Sequence, residues 1–210
     1  MSRLLTLKSS FAGLPLPMEL TKRKVFIVSA PSGAGKSTLV NAVLQRYDLF
    51  SFSISATTRP PRHYETEGEH YYFKSQEAFA ELRSADAFLE CEEVYSGAWY
   101  GTLRTEVDRI LANGRCPIFD VDVVGGVNIK QHYQADAVAI YIQAPSLEAL
   151  RKRLEGRGSD SPEDIARRIA KAEHEHQFRH QFDYIVVNDE LEEAVEEMSN
   201  IIQQELGVRT

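Results

Sequence analysis

The segment from Val25 to Arg46 constrains this chain more than any other. Val25-Phe26-Ile27-Val28-Ser29 is a short, nearly unbroken apolar run, the pattern of a parallel strand buried on both faces. Ala30-Pro31-Ser32-Gly33-Ala34-Gly35-Lys36-Ser37-Thr38 follows directly, and a helical pattern opens at Lys36 and runs to Arg46. The loop matches the P-loop signature G-x-x-x-x-G-K-[ST] at every position except the first, where Ala30 stands for glycine. Its residue types follow from the chemistry of a bound polyphosphate such as that of ATP. Gly33 and Gly35 let the backbone turn so that successive N–H groups converge on phosphate oxygens at a helix N-terminus. Lys36 supplies a mobile positive charge for the outer phosphates, and the Ser37 hydroxyl is placed to coordinate Mg²⁺. Ala30 needs only a backbone conformation open to an L-residue, so the departure is mild. Pro117-Ile118-Phe119-Asp120 adds an apolar strand ending in an acid, the Walker-B arrangement that holds a metal at the C-terminal edge of a sheet.

Beyond this unit, short β-rich runs alternate with helical stretches. Strand-like runs recur over 116–123, 137–143 and 184–187, and helical patterns over 103–113, 147–154, 162–178 and 191–206. Ser161-Pro162 reads as an N-cap followed by the first helical residue. Asp189, with Glu192 three residues on, reads as a capping box. Such alternation implies βαβ units and hence an α/β fold, a P-loop NTPase-type parallel sheet flanked by helices. Residues 51–102 break the rhythm. They hold strand-like pieces over 50–57, 71–73 and 88–95 but one short helix, 76–83, which predicts a small mixed α+β lobe inserted into the core. The expected organisation is a flexible N-terminal extension over 1–22, a core of 23–50, 103–145 and 182–210, the inserted lobe over 51–102, and a helical segment over 146–181. Up to Met18 the extension carries Arg3 and Lys8 but no acid, and it lacks the unbroken apolar core of a secretory signal.

The 210 residues carry a formal charge of −7. That balance argues against a broad nucleic-acid surface, though not against an enzyme that takes a small anion into a local basic pocket. No run of about 18 apolar residues is present, which argues against a membrane-spanning helix. Cys91 and Cys116 form neither a disulfide framework nor a metal-ligand pair, and thiols kept reduced in a cytoplasm are the expectation. The charge is unevenly spread. Residues 55–103 hold four basic residues (Arg59, Arg62, Lys74 and Arg83) against nine acids, whereas residues 151–171 hold seven against four. Arg59 and Arg62 flank a rigid Pro60-Pro61 bend, so they form either a focused site for a monophosphate or a charge-balanced surface. The Asn-Lys-x-Asp motif with which G-proteins read their base is missing, and the inserted lobe points instead to a nucleotide kinase, where one lobe carries the acceptor.

The motifs of that lobe are specific in combination. Ser55-x-Thr57-Thr58-Arg59-x-Pro61-Arg62, then Glu65, Gly68 and Tyr71-x-Phe73, then Phe88-Leu89-Glu90 and Tyr100-Gly101-Thr102, resemble the acceptor lobe of the guanylate kinase family. Asp120-Val121-Asp122, Leu154-Glu155-Gly156-Arg157-Gly158 and Val186-Val187-Asn188-Asp189 continue the resemblance from Lys24 to the C-terminus. It implies that Arg59, Arg62, Tyr71 and Tyr100 bind the phosphate of GMP, and that Ser55, Glu90 and Thr102 read guanine, with Asp122 beside them. It implies that Arg153, Arg157 and Asn188 join the loop in binding ATP, that Ser37 and Asp120 hold Mg²⁺, and that Lys36, Arg59, Arg157 and Arg168 carry the catalysis. The implied reaction converts ATP and GMP, or dGMP, to ADP and the diphosphate. It would take place in a cytoplasmic monomer or homodimer with no nucleic-acid or membrane partner. A carboxylate at position 90 suits guanine, whose N1–H and exocyclic amine are donors that adenine lacks, and a buried polar group left unpaired by the wrong base discriminates strongly.

Two departures bear on the acceptor lobe. Val124-Gly125 stands where the family often has glutamine before glycine, and the stretch 95–99 is about one residue longer than in many relatives. Rival readings are an inactive scaffold module, a P-loop kinase acting on a sugar phosphate, and a small ATPase. The presence of Gly33, Gly35, Lys36 and Ser37, and of Arg153, Arg157 and Arg168, which the resemblance assigns to a lid over 146–181, opposes the first, and Ser55, Glu90 and Thr102 together oppose the second.

Overall fold

The computed structural model describes residues 24–95, 97–156, 158 and 160–207, so the extension 1–22 and Arg157 lie outside the described residues. The elements in chain order are β1 (Val25–Ser29), α1 (Lys36–Arg46), β2 (Phe50–Phe52), β3 (Ala56–Thr57), β4 (Tyr72–Phe73), α2 (Gln76–Ser84), β5 (Phe88–Tyr95), β6 (Ala98–Leu103), α3 (Arg104–Ala112), β7 (Cys116–Val121), α4 (Val123–Tyr133), β8 (Ala137–Gln143), α5 (Leu147–Gly156), α6 (Pro162–His176), β9 (Tyr184–Val187) and α7 (Leu191–Glu205).

Five strands form a wholly parallel sheet in the order β2-β7-β1-β8-β9. The central strand β1 sends alternate side chains into two cores. Phe26 and Val28 join Leu39 and Val43 of α1 and Met198 and Ile202 of α7. Val25 and Ile27 join Val107 of α3, Ile129 of α4 and Phe182. Both faces of the strand are therefore dry, which is why it reads as a continuous apolar run and not as an alternating one. Each such fully buried side chain contributes on the order of 1.5–3 kcal/mol. The α/β class is as the sequence implies, with the C-terminal ends of β1 and β7 opening on the loops that follow.

The second sheet is small and mixed, in the order β4-β3-β6-β5, with β3–β4 parallel and the other pairs antiparallel. Its own core stacks Phe79 of α2 on Phe88 at a ring-centroid distance of 4.4 Å, with Ala56 buried beside them. A fourth cluster, Leu150 and Leu154 of α5 with Ile165 and Ile169 of α6, joins the two helices that follow β8.

Several local expectations change. The run 50–57 is not one strand. Ser53 N–H still donates to Ile118 O of β7 at 3.0 Å, but Ile54 N–H turns to the Glu106 side chain at 3.3 Å, and the chain crosses there from the large sheet to the small one. The strand expected over 116–123 stops at Val121 and a helix begins at Val123. Asp189 does not cap the last helix. Its N-cap is Glu190, whose side chain makes no capping bond. Ser161 does cap α6, its hydroxyl accepting from Asp164 N–H at 3.1 Å.

Candidate active site

The loop between β1 and α1 is built as its glycines require. Gly33 and Gly35 hold φ of 98° and 94°, which a side chain resists. The described non-glycine residues with positive φ are Asp86 and Gln134, so Ala30 sits in an ordinary backbone conformation and the missing first glycine costs nothing here. The loop is propped from outside the cleft. Asn188, which is buried, donates from Nδ2 to Ala34 O at 2.7 Å, and a Cβ on Gly35 would run into that amide. Leu150 and Leu154 of α5 lie against Gly33, where a Cβ would come within 3.0 Å of Leu150 Cδ1.

At the helix end of the loop, Lys36 Nζ pairs with Asp120 Oδ1 at 2.5 Å and donates to Val121 O at 2.7 Å. Ser37 Oγ donates to Asp120 Oδ2 at 3.0 Å. A hydroxyl and a carboxylate in contact at the end of β7 are hard oxygen donors that suit Mg²⁺, a cation commonly held by one or two carboxylates together with substrate phosphates and water. Among the described residues no cluster of three or more His, Cys, Asp or Glu is placed to hold a metal ion.

These groups open into a cleft of about 530 Å³, within the usual range of a small-molecule site. The loop residues Ala30, Pro31, Ser32, Gly33, Gly35, Lys36, Ser37 and Thr38 line one wall. Glu90 and Tyr100 of the small sheet, with Ser55 and Tyr71 next to its strands β3 and β4, line the other, and Asp120 and Asp122 lie at the junction.

Glu90 on β5 faces Thr102 on β6, and the buried Thr102 hydroxyl donates to Glu90 Oε1 at 2.7 Å. Burial pushes the Glu90 carboxyl up to about 7, the charge of Asp122 adds to the shift, and the Thr102 bonds oppose it. Asp122 caps α4 by accepting from Gly125 N–H at 2.8 Å. The acceptor-phosphate candidates cluster separately. Arg59 donates from Nε to Tyr100 Oη at 3.1 Å, and its guanidinium carbon lies 5.3 Å from the centre of the Tyr71 ring. Both ends of its fork rest on Glu65 at 2.8 Å, which holds the Glu65 carboxyl down at about 2. Arg62 is turned to Tyr64, donating to its hydroxyl at 2.9 Å, while its backbone N–H donates to Glu65 at 2.7 Å.

The helices after β8 close the third side. Arg168 on α6 donates to Ser32 Oγ at 2.5 Å and to Asp160 at 3.3 Å, tying that helix to the phosphate loop. Arg153 reaches the Asp189 carbonyl at 3.2 Å and not the cleft. Four further charged side chains line the cleft that the motifs do not single out as site residues: Glu92, Arg167, Lys171 and Glu175. Lys171 bridges to Glu175 at 3.5 Å, and burial together with the neighbouring Asp122 charge pushes the Glu92 carboxyl up to about 7. The spacing of 167, 168, 171 and 175 on a helix is visible as a pattern, but which side faces phosphate depends on how α6 docks.

The model of the family described as guanylate kinase matches residues 22–205 of the chain. The chain belongs to the guanylate kinase family. Curated guanylate kinases of two Bacteroides species illustrate the likeness: that of Bacteroides fragilis is 47% identical over 92% of this chain and 95% of its own. That of Bacteroides thetaiotaomicron is 50% identical over 88% and 90%. The crystal structure of guanylate kinase from Anaplasma phagocytophilum superposes with a TM-score of 0.68 at 28% identity, covering 87% of this chain and 86% of that one. The guanylate kinase resemblance read from the motifs is thus the family to which the whole domain is similar, and the parallel sheet carrying the P-loop is shared with it.

Proposed function

We propose that the protein transfers the terminal phosphoryl group of ATP to GMP, yielding ADP and GDP, with dGMP serving as an alternative acceptor. The observation that carries this reading is the meeting of two walls across one cleft: Lys36, Ser37 and Asp120 beneath the phosphate loop, and Ser55, Tyr71, Glu90 and Tyr100 opposite. Ionised Glu90 accepts from guanine N1–H and the exocyclic amine, and the Thr102 hydroxyl fixes its orientation. Arg59, splinted by Glu65 and Tyr100, presents its guanidinium to the acceptor phosphate, with Arg62, Tyr71 and Tyr100 alongside. That phosphate is already an anionic nucleophile, so the reaction needs no covalent enzyme intermediate and no strong base.

Phosphoryl transfer is accelerated chiefly by in-line positioning and by neutralising charge on the transferring group. The loop N–H groups and Lys36 do this on the donor side, and for ATP to enter, Lys36 exchanges its Asp120 partner for phosphate oxygens. Ser37 and Asp120 would hold Mg²⁺, which when bound offsets negative charge on the donor phosphates. Arg168, already on Ser32, ties α6 to the loop, Arg153 and Arg157 are the further arginines assigned to the donor phosphates, and closure of that lid excludes water that would otherwise hydrolyse ATP. In this reading the chain divides into a core of 23–50, 103–145 and 182–210, a GMP-binding lobe over 51–102 and a lid over 146–181. It works in the cytoplasm on nucleotides, without membrane or nucleic acid. Among the described residues no helix is long and apolar enough to cross a membrane.

ADP release measured with ATP, Mg²⁺ and a panel of GMP, dGMP, AMP, UMP, CMP and ribose bisphosphate tests the proposal. Activity confined to the guanine nucleotides is expected. Preference for the sugar phosphate, or ATP loss without any acceptor, would contradict it.

A further inference from the structure

Glu92 lines the cleft, yet none of the roles above uses it. Its position follows from strand register. Along the β5–β6 pair, Glu90 lies opposite Thr102 and Glu92 opposite Tyr100. Residues two apart on a strand share a face, and Glu90, Glu92 and Val94 all reach the cleft. The Glu90–Thr102 pair stands at the base-reading end, and Tyr100, bonded to Arg59, stands at the phosphate end. In any nucleoside monophosphate the ribose lies between base and phosphate. On the β5 side of this face, the next residue from the guanine-reading carboxylate toward the phosphate end is Glu92.

The Glu92 side chain stands among other charges of the same cleft. Burial and the neighbouring charge of Asp122, the N-cap of α4, push its carboxyl up to about 7, and the positive charge of Lys171 on α6 opposes that shift. An acid on the wall of a site that takes an anionic ligand carries an electrostatic penalty, which Lys171 and Arg167 on the same cleft offset. Ribose hydroxyls are neutral donors and a carboxylate is an acceptor, and with the guanine donors met by Glu90 the ribose hydroxyls are the donors left for this position.

We infer that Glu92 accepts a hydrogen bond from a ribose hydroxyl of the acceptor nucleotide and so favours the ribonucleotide over its deoxy counterpart. The inference rests on the proposal that GMP is the acceptor. The contact concerns binding only, with no bond made or broken.

The test is kcat/KM for GMP, dGMP and 3′-deoxy-GMP with the full chain, its Glu92→Ala variant and its Glu92→Gln variant. The wild type is expected to favour GMP roughly tenfold or more over the acceptor that lacks the contacted hydroxyl, as befits one hydrogen bond to a charged group. In Glu92→Ala that ratio falls toward one, through a higher KM for GMP at similar kcat. Glu92→Gln, which keeps a carbonyl acceptor, retains part of the preference and guards against an alanine variant that fails to fold. A residue that merely orients Asp122 would depress all three acceptors alike, and that result overturns the inference. Equal wild-type constants for the three acceptors, or a preference that survives Glu92→Ala, overturn it too. Activity with a flat ratio sinks this inference alone, whereas no activity on any acceptor sinks the kinase reading. In that event calorimetric titration with the same three nucleotides decides whether Glu92 discriminates in binding.

Discussion

Glu90 and Glu65 are two carboxyls of one lobe driven in opposite directions. Burial raises Glu90 to about 7, so in the free protein below that pH it carries a proton where guanine needs acceptors. The kcat/KM for GMP is therefore expected to rise as pH climbs from about 6 to 8, with an inflection near 7 that reports the free enzyme. Glu90→Gln is expected to lose that inflection along with most of the activity, and a profile unchanged by the substitution would speak against Glu90 as the base reader. The stability linkage has the matching sign. A carboxyl raised in the folded state contributes stability at acid pH that is lost as pH rises through about 7. Glu65 is the reverse case. The Arg59 fork lowers it from 4.5 to about 2, so its contribution is present above 4.5 and lost as pH falls toward 2. Glu65→Gln is expected to destabilise the protein at pH 7 but to make little difference near pH 2, as read by denaturant titration at the two pH values. It is also expected to raise KM for GMP by releasing Arg59. Equal destabilisation at both pH values would mean that the ion pair is not its origin.

Elements whose determinants are local are legible in the sequence alone. The strand, loop and first helix over 25–46 announce themselves through an apolar run, two glycines and Lys36-Ser37, and Ser161 caps α6 as its spacing implies. Helix α4 is not legible in that way. Val123, Val124, Gly125 and Gly126 are poor helix formers, and tertiary packing overrides their propensity: Asp122 caps the turn, while Val123 and Ile129 are buried against the sheet. Strand β6 hides for a related reason. Gly101 weakens the strand pattern, yet a Cβ there would lie 2.8 Å from both Cys91 Cβ and Phe88 Cδ1, so close sheet packing demands glycine. The site divides in the same way. Lys36 and Ser37 sit inside a contiguous motif, while Glu92 and Glu175 enter the cleft only through strand register and helix docking. The α4 packing makes a sharp prediction. A Cβ on Gly126 would lie 2.5 Å from Ser29 Oγ, which itself donates to Asp122 O at 3.0 Å. Gly126→Ala is thus expected to destabilise by about 1–3 kcal/mol, despite alanine's better helix propensity. Chemical denaturation measures it, and a neutral or stabilising result would mean that α4 can move off β1 freely.

The whole molecule carries −7, but the cleft is organised by sign. Asp120, Asp122, Glu90, Glu92 and Glu175 face it beside Lys36, Arg167, Arg168 and Lys171. A site with matched acids and bases holds its cations among carboxylates until anionic phosphates replace some of them. Ligands that fill both walls are expected to stabilise the folded state more than either alone. Saturation at about 100 times the dissociation constant contributes roughly 2.7 kcal/mol, or about 5–10 °C in Tm for a chain of this size. Calorimetry with GMP and a non-hydrolysable ATP analogue, separately and together, checks this, and no shift with either would mean that the cleft does not take nucleotides.

The proposed reaction is one transfer between two nucleotides across this cleft. Chromatographic quantification of all four nucleotides after incubation with ATP, GMP and Mg²⁺ tests it most directly, with AMP in place of GMP and Lys36→Ala in place of the wild type as controls. The prediction is ADP and GDP formed in equal amounts, GMP preferred to AMP by roughly 10⁴-fold, and a loss of about 10²–10³-fold in Lys36→Ala with the fold intact. ADP formed without GDP, comparable turnover of AMP, or near-normal rates in Lys36→Ala would contradict it.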